Sequence, residues 1–505
     1  MAGGTTSRDV IDSKATRMEK GTLFSLFALI VTRLATVVNS IIMVRTLGPN
    51  DFGIYSIVLL TLSVVAIFAT FGVPQAIVKF LSALSLEETQ RASRLFGAGL
   101  ALTVSATALT VSAAILLAPF LGVSLYGSPS VSQLLIVALL GLVINSVISP
   151  AASLFQAFER IREMSIRNVG TAILSISVTL PLVVLYGLSG AVWATVINSG
   201  LAVFVNLSLL RGLWRHKRLE LVIPRSPSEY REILNYALPA FAGGLLVTPA
   251  LWFGSTLLIS AGTFVDLGQY SAAFGLSSYL LFIPSAIGIP LVPILSRLDR
   301  LEPGDFSTFL TKTFRVSTFL LLPPGLILLA FPDVFLGFLY GSEFVDAAPL
   351  VRLMVPAVFL AGVTSIFGYG IAGTGRMWHG LLLNVTWGIA LIMLSILLVP
   401  ASLARGLATS YLVAYGLLFV EAFLYARRTW FLNPRDLTPP MLLASLSLFG
   451  VEGVASLLFD PWRVPATITM IAAAVLAEFA LMSRREAQVL SEPIRRLVVW
   501  INPPY

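Results

Sequence analysis

Long apolar runs alternate with short polar gaps along almost the whole 505-residue chain. A hydrocarbon core of about 30 Å needs roughly 20 apolar residues per crossing helix. The pattern predicts fourteen such spans: 21–45, 52–74, 95–121, 131–155, 166–186, 189–210, 236–261, 269–294, 314–338, 348–372, 379–399, 403–426, 438–458 and 464–482. The predicted fold is therefore all-α and integral to the membrane. Residues 1–20 read as a polar cytoplasmic N-terminus ahead of a run too long for a cleaved signal core.

The gaps differ in charge. Of the 33 Lys and Arg residues, 28 fall in, or within two residues of, every second gap with the chain ends included, and the intervening gaps hold only Arg45, Arg405 and Arg463. Basic loops stay on the cytoplasmic side, so the alternation predicts a plasma-membrane protein with both termini inside. Composition agrees, with 57% hydrophobic residues, 11% charged residues and a mean hydropathy of +0.91. The net charge of +8 is spread over loops facing anionic headgroups, which accounts for it without nucleic acid. Trp214, Trp430, Trp462 and Trp500 sit at predicted span ends, where a belt of interfacial aromatics belongs.

The chain also repeats itself. Phe52-Gly53-Ile54-Tyr55-Ser56 matches Leu267-Gly268-Gln269-Tyr270-Ser271, and Gly72-Val73-Pro74 matches Gly288-Ile289-Pro290 at nearly the same offset. Six spans separate the matches, so the second set enters the membrane the same way up, as in parallel transporter repeats. The expected organisation is a six-helix N-lobe over 21–210, a cytoplasmic connector over 211–235 and a six-helix C-lobe over 236–426. A helix pair over 438–482 and an amphipathic cytoplasmic tail over 483–505 complete it. The connector carries the cluster Arg215, Lys217 and Arg218.

Arg45-Thr46-Leu47-Gly48-Pro49-Asn50-Asp51-Phe52-Gly53-Ile54-Tyr55-Ser56, followed by Gly72-Val73-Pro74-Gln75-Ala76-Ile77-Val78-Lys79-Phe80, resembles the opening of Wzx-type polysaccharide exporters. Their superfamily also holds the MATE drug exporters and the MurJ flippases. Ile233-Leu234-Asn235-Tyr236-Ala237-Leu238-Pro239 is similar to that family's approach to the seventh helix. The resemblance implies a flippase that carries an isoprenyl-diphosphate-linked oligosaccharide to the outer leaflet by alternating access between two lobes. Its partners would be the lipid-linked glycan, the bilayer and glycosyltransferases or a polymerase. Na⁺ or H⁺ coupling is open, and no cofactor is implied. In one respect the chain departs from the family: Trp252, Phe253, Gly254 and Ser255 stand where many members carry an intramembrane Asp.

Ionisable residues inside the hydrocarbon are costly, about 2.5–3.5 kcal/mol each at the centre on insertion scales, and so mark function. Arg33 lies 13 residues beyond Lys20, about 20 Å along a helix. Its planar fork suits phosphate; carbonyls at a kink or a Glu of the other lobe are the alternatives. Lys79, Arg352 and Arg45 are further candidates for the diphosphate, each also within snorkelling reach of an interface. Glu421, Glu452 and Glu478 are embedded carboxylates, for ion coupling or for locking helices together; Glu421 is near enough to Arg428 to pair with it. Pro239, Pro284 and Pro290 are hinge candidates.

Cation-coupled drug export of the MATE type is the alternative, weakened because no carboxylate lies well inside the first eleven spans while Arg33 does. A membrane-embedded glycan polymerase or ligase is a second alternative, weakened by the small outer loops. With no cysteine and only His216 and His379, the sequence offers no thiolate metal site and no catalytic residue.

Overall fold

The structure is a computed structural model and describes residues 7–84, 88–158, 160–217, 222–224, 226–301, 303–457 and 463–481. Arg218, Trp462 and the tail beyond Leu481, with Trp500, lie outside the described residues. Every described element is helical, and among the described residues nine helices are long and apolar enough to cross a membrane. The chain divides into two compact units, Met1–Trp252 and Phe253–Tyr505.

The first unit holds α1 (Ser7–Thr70), α2 (Val73–Ser82), α3 (Thr89–Pro119), α4 (Pro129–Ala157), α5 (Ile161–Lys217), α6 (Pro227–Gly244) and the start of α7 (Val247–Ala261). α1 reaches back to Ser7, through polar residues expected to stand apart from the first helix; Ala, Met, Glu, Lys and Arg are all good helix formers there.

Two of the predicted turns between spans fall inside single helical elements, α1 and α5. Spans 1 and 2 are joined within α1 at Gly48, whose φ of 69° and ψ of 173° break the helix just before Pro49. Glycine takes a positive φ at no steric cost, and the residue before proline avoids the α region. Spans 5 and 6 are joined the same way within α5 at Gly187 (φ 56°). The two halves of α5 then run side by side, and Asn198 donates a hydrogen bond to Thr179 Oγ1 at 3.3 Å.

One core of this unit gathers Val73, Ile77 and Leu81 of α2, Leu95 and Phe96 of α3, Leu154 and Phe155 of α4, and Ile233 and Ala237 of α6. A second joins Ala69, Val111, Ala114, Leu135 and Leu139. Leu109 and Leu116 on α3, with Leu185 and Phe204 on α5, are exposed, as apolar residues of membrane-spanning helices can be.

The second unit continues with α8 (Phe264–Ser278), α9 (Phe282–Leu301), α10 (Pro303–Ala330), α11 (Pro332–Leu339), α12 (Ala348–Gly373), α13 (Met377–Trp430), α14 (Pro434–Leu457) and α15 (Arg463–Leu481). α12 is its centre, with Val351, Met354, Val358, Val363 and Phe367 fully buried under α8, α9, α10 and α13. α13 joins spans 11 and 12 through Ser402 and Leu403, the latter at φ 47°. The pair α14–α15 packs on α10.

Trp430 departs from the interfacial belt. It is only 6% exposed, 5.2 Å from the Phe306 ring and 5.6 Å from Tyr425. A Cβ on Gly370 would come within 2.8 Å of it. It fills a gap between helices rather than a headgroup layer.

The repeat is local. Tyr55 and Tyr270 are both buried, at 8% and 5% exposure, on the helices where the first match places them. The second match diverges: Gly72 breaks the chain at φ 71°, whereas 288–290 runs on inside α9.

Candidate functional site

Arg33 lies half-buried midway along the first half of α1. Six residues on, Asn39 Nδ2 donates to Ser175 Oγ at 2.7 Å and ties that half to α5. Arg45 is exposed just before the Gly48 kink.

Lys79 is exposed in the last turn of α2, where a cation is favoured by the helix dipole. Its Nζ stands 4.0 Å from the centroid of Tyr236 and 5.6 Å from that of Phe80, a cation–π contact with α6.

α6 is fastened to this end of the unit by several means. Arg91 pairs with Glu232 at 3.1 Å and Arg94 with Glu229 at 3.0 Å. The Ser228 hydroxyl, at 2.8 Å, is the leading cause that holds the Glu229 carboxyl below the usual carboxylate range, with Arg94 helping. Phe241 stacks on Phe71 at 4.5 Å and meets Phe68 edge-on at 5.5 Å. A stretch expected to be a connector thus begins a helix that belongs to the first unit.

The same unit carries an open cavity of about 660 Å³, lined by the second half of α1, by α4 and by both halves of α5. On α4 the lining runs from Ala138 to Gln156, a rise of about 27 Å at 1.5 Å per residue. Its polar groups form stripes at helical spacing: Asn145, Ser149, Ser153 and Gln156 on α4, and Thr195, Ser199 and Asn206 on α5.

Asn145 donates to Ser199 Oγ at 2.6 Å, and Ser199 donates to the Thr195 carbonyl at 2.8 Å. Asn206 is 3% exposed; its amide donates to the Ala202 carbonyl at 2.6 Å, and its Oδ1 has no hydrogen-bond partner among the described residues. Arg167 is the one charged residue in the lining, and its Nη2 donates to Asn168 Oδ1 at 2.8 Å. The charge pattern places Arg167 in a loop; the structure places it inside α5, half-buried. The signal for this cavity was the polar stripe in spans 4 and 6, which a reading centred on charges passes over.

In the second unit Arg352 pairs with Asp333 of α11 at 3.8 Å. Glu421 accepts a 2.5 Å hydrogen bond from Thr386 across the α13 hairpin, a partner in place of Arg428. Glu452 is half-buried on α14. Glu478 is 2% exposed on α15, and its Oε1 has no hydrogen-bond partner among the described residues. Arg315 of α10 is its electrostatic partner and also donates to the Leu481 carbonyl. The carboxylates are therefore spread over separate helices rather than gathered.

Of the prolines, Pro284 follows the short 3₁₀ turn Tyr279–Leu281 that separates α8 from α9, as its clash with the carbonyl four residues back requires. Pro239 lies within α6 ahead of the break to α7, and Pro290 lies within α9.

Comparison with known proteins places these features. A family model described as "Polysaccharide biosynthesis protein" matches residues 42–349. The EPS I polysaccharide export inner membrane protein EpsE of Ralstonia solanacearum is 25% identical over 391 residues, covering 74% of this chain and 85% of that protein. Stage V sporulation protein B of Bacillus subtilis is 22% identical over 366 residues, 68% of this chain and 70% of that one.

Among solved structures, the lipid II flippase MurJ in an inward closed conformation superposes with a TM-score of 0.70 at 13% identity, covering 91% of this chain and 98% of its own. An inward-facing MATE-family multidrug resistance transporter gives 0.62 at 15% identity, covering 81% and 98%. These two similarities establish a shared fold. With more than half of its length matched by the family model, the chain belongs to the polysaccharide biosynthesis protein family.

Proposed function

We propose that this protein is a flippase, a transporter and not an enzyme, that moves an isoprenyl-diphosphate-linked oligosaccharide across the cytoplasmic membrane. The observation that carries the proposal is the family match over 42–349, joined to a relative named for polysaccharide export that aligns along most of both chains. The charge alternation supports both termini in the cytoplasm, and the relative named for polysaccharide export supports movement toward the outer leaflet.

The chemistry of the first unit supports an anionic, hydroxyl-rich cargo. Arg33 is its one charge deep within a predicted span, and Arg167 lines the cavity, with no carboxylate among the described lining residues. A guanidinium fork matches phosphate oxygens, and Arg33 takes that role here. Lys79, in contact with Tyr236, and Arg352, paired with Asp333, are further candidates.

Drug export is the second reading, favoured by the MATE-like fold. It is disfavoured by Coulomb repulsion between an organic cation and Arg33 or Arg167 in a low-dielectric lobe.

Native mass spectrometry of the purified protein with an isoprenyl-diphosphate oligosaccharide tests the proposal. Binding by wild type and loss in Arg33→Ala is the expected result. Failure of wild type to retain the lipid, with retention of an organic cation instead, would transfer the assignment to drug export.

A further inference from the structure

We infer that the polar cavity inside the first unit is a saccharide-binding subsite, distinct from the groups that neutralise the diphosphate; the inference rests on the flippase reading. The cavity's chemistry selects the ligand class by elimination. An isoprenoid chain would meet the apolar part of the lining, Leu62, Leu142 and Ile148 among it, but would strip water from Asn145 and Ser199 and return no hydrogen bond. A diphosphate is a poor fit, since a single guanidinium, Arg167, lines the cavity and at least one further negative charge would be buried uncompensated. An organic cation finds no carboxylate in the lining and meets Arg167.

What remains is a neutral or weakly anionic molecule dense in hydroxyl groups. The serine and threonine hydroxyls here spend their protons on their own helices, as Ser199 does on the Thr195 carbonyl and Ser153 on the Ser149 carbonyl. Each hydroxyl therefore keeps lone pairs to offer, one of which Ser199 Oγ already gives to Asn145. A ligand must bring donors, which is what sugar hydroxyls supply. Arg167 and Gln156 contribute donors for ring and glycosidic oxygens.

Shape agrees with this chemistry. A volume of about 660 Å³ lies within the usual range of ligand sites, roughly 300–1,000 Å³. Its extent along α4 suits a short chain of sugars more than a single ring.

The absence of cysteine from the sequence makes the test clean. A single thiol is introduced at Ser199→Cys, nearly isosteric, and separately at the more exposed Ser63→Cys on the α1 wall. The labelling rate with a water-soluble thiosulfonate is measured in nanodiscs. Three conditions are compared: no lipid ligand, bare isoprenyl diphosphate, and isoprenyl-diphosphate oligosaccharides extracted from the source membranes. Binding of each lipid to the same preparations is read by native mass spectrometry.

At ten times Kd the unoccupied fraction, and with it the labelling rate, falls about elevenfold. That protection, given by the glycan-bearing lipid and not by the bare one, is the expected result in both variants. Equal protection by both lipids would overturn the saccharide assignment in favour of the carrier. Glycan-lipid binding without protection would also overturn it, leaving a water-filled cavity and the flippase reading intact. Failure of the glycan lipid to bind at all would bring down the flippase reading, and this inference with it.

Discussion

Gly72 is where the sequence, the backbone and the packing of the first unit meet, and Gly72→Ala separates their contributions. The residue holds φ at 71° at the head of α2, and the left-handed region costs a residue with a Cβ about 1–2 kcal/mol. The new Cβ would stand 2.4 Å from the Ala237 carbonyl oxygen and 3.0 Å from the Phe241 backbone nitrogen. Both are backbone atoms of a helix, so α6 must retreat as a body, and overpacking of this kind costs a further 1–3 kcal/mol or about that. The retreat also loosens the Phe71–Phe241 stack and the Lys79–Tyr236 contact.

Gly127 provides the control, with a φ of 63° and nothing within 4 Å of an added Cβ. Gly127→Ala carries the backbone term alone. Thermal unfolding of both variants in nanodiscs is the assay, with proteolysis of 218–226 as a local readout of α6. Gly72→Ala should melt below Gly127→Ala by the equivalent of the packing term, and its connector should be cut faster. Equal melting of the two variants would refute the claim that α6 rests on Gly72.

Other outcomes follow from the same geometry. Arg33→Ala should abolish glycan export in cells while protein levels stay unchanged; full activity would remove Arg33 from the mechanism. The Glu229 carboxyl has a folded pKa below its ordinary value, so its contribution is present above about pH 4.5 and fades as pH falls through the lower folded value. A double-mutant cycle of Arg94→Ala and Glu229→Gln should therefore show coupling at pH 7 that vanishes at acid pH. Trp430→Ala opens a void against Phe306 and Gly370, and a loss of about 3–5 kcal/mol is expected on unfolding of the second unit; a loss no larger than that of an exposed aromatic would restore it to the interface.

The membrane fold was legible because two signals repeat many times along the chain. Apolar length located the helices, and the Arg and Lys clusters mark gaps between them. Gly48-Pro49 and Gly187 fall in the short predicted gaps, and there the structure turns α1 and α5 back on themselves. What the sequence concealed lies in contacts between distant segments. Nothing local shows that Trp430 is wedged under Gly370, or that Arg352 meets Asp333. Embedded charges drew attention because each one costs energy by itself. The Ser and Asn stripes of α4 and α5 cost little singly and become a site only when three helices bring them together. The residues that organise the first unit are consequently less charged than the sequence alone leads one to expect.

Translocation itself is the decisive observable. Liposomes containing an isoprenyl-diphosphate oligosaccharide in both leaflets are prepared with wild type, with Arg33→Ala and without protein. A sugar-modifying enzyme is then added outside, where it reaches only the outer leaflet. Wild type should expose the whole pool, while Arg33→Ala and empty liposomes should leave the inner-leaflet fraction protected. Protection unchanged by wild type, in vesicles where the same protein moves an organic cation, would contradict a flippase of lipid-linked glycans.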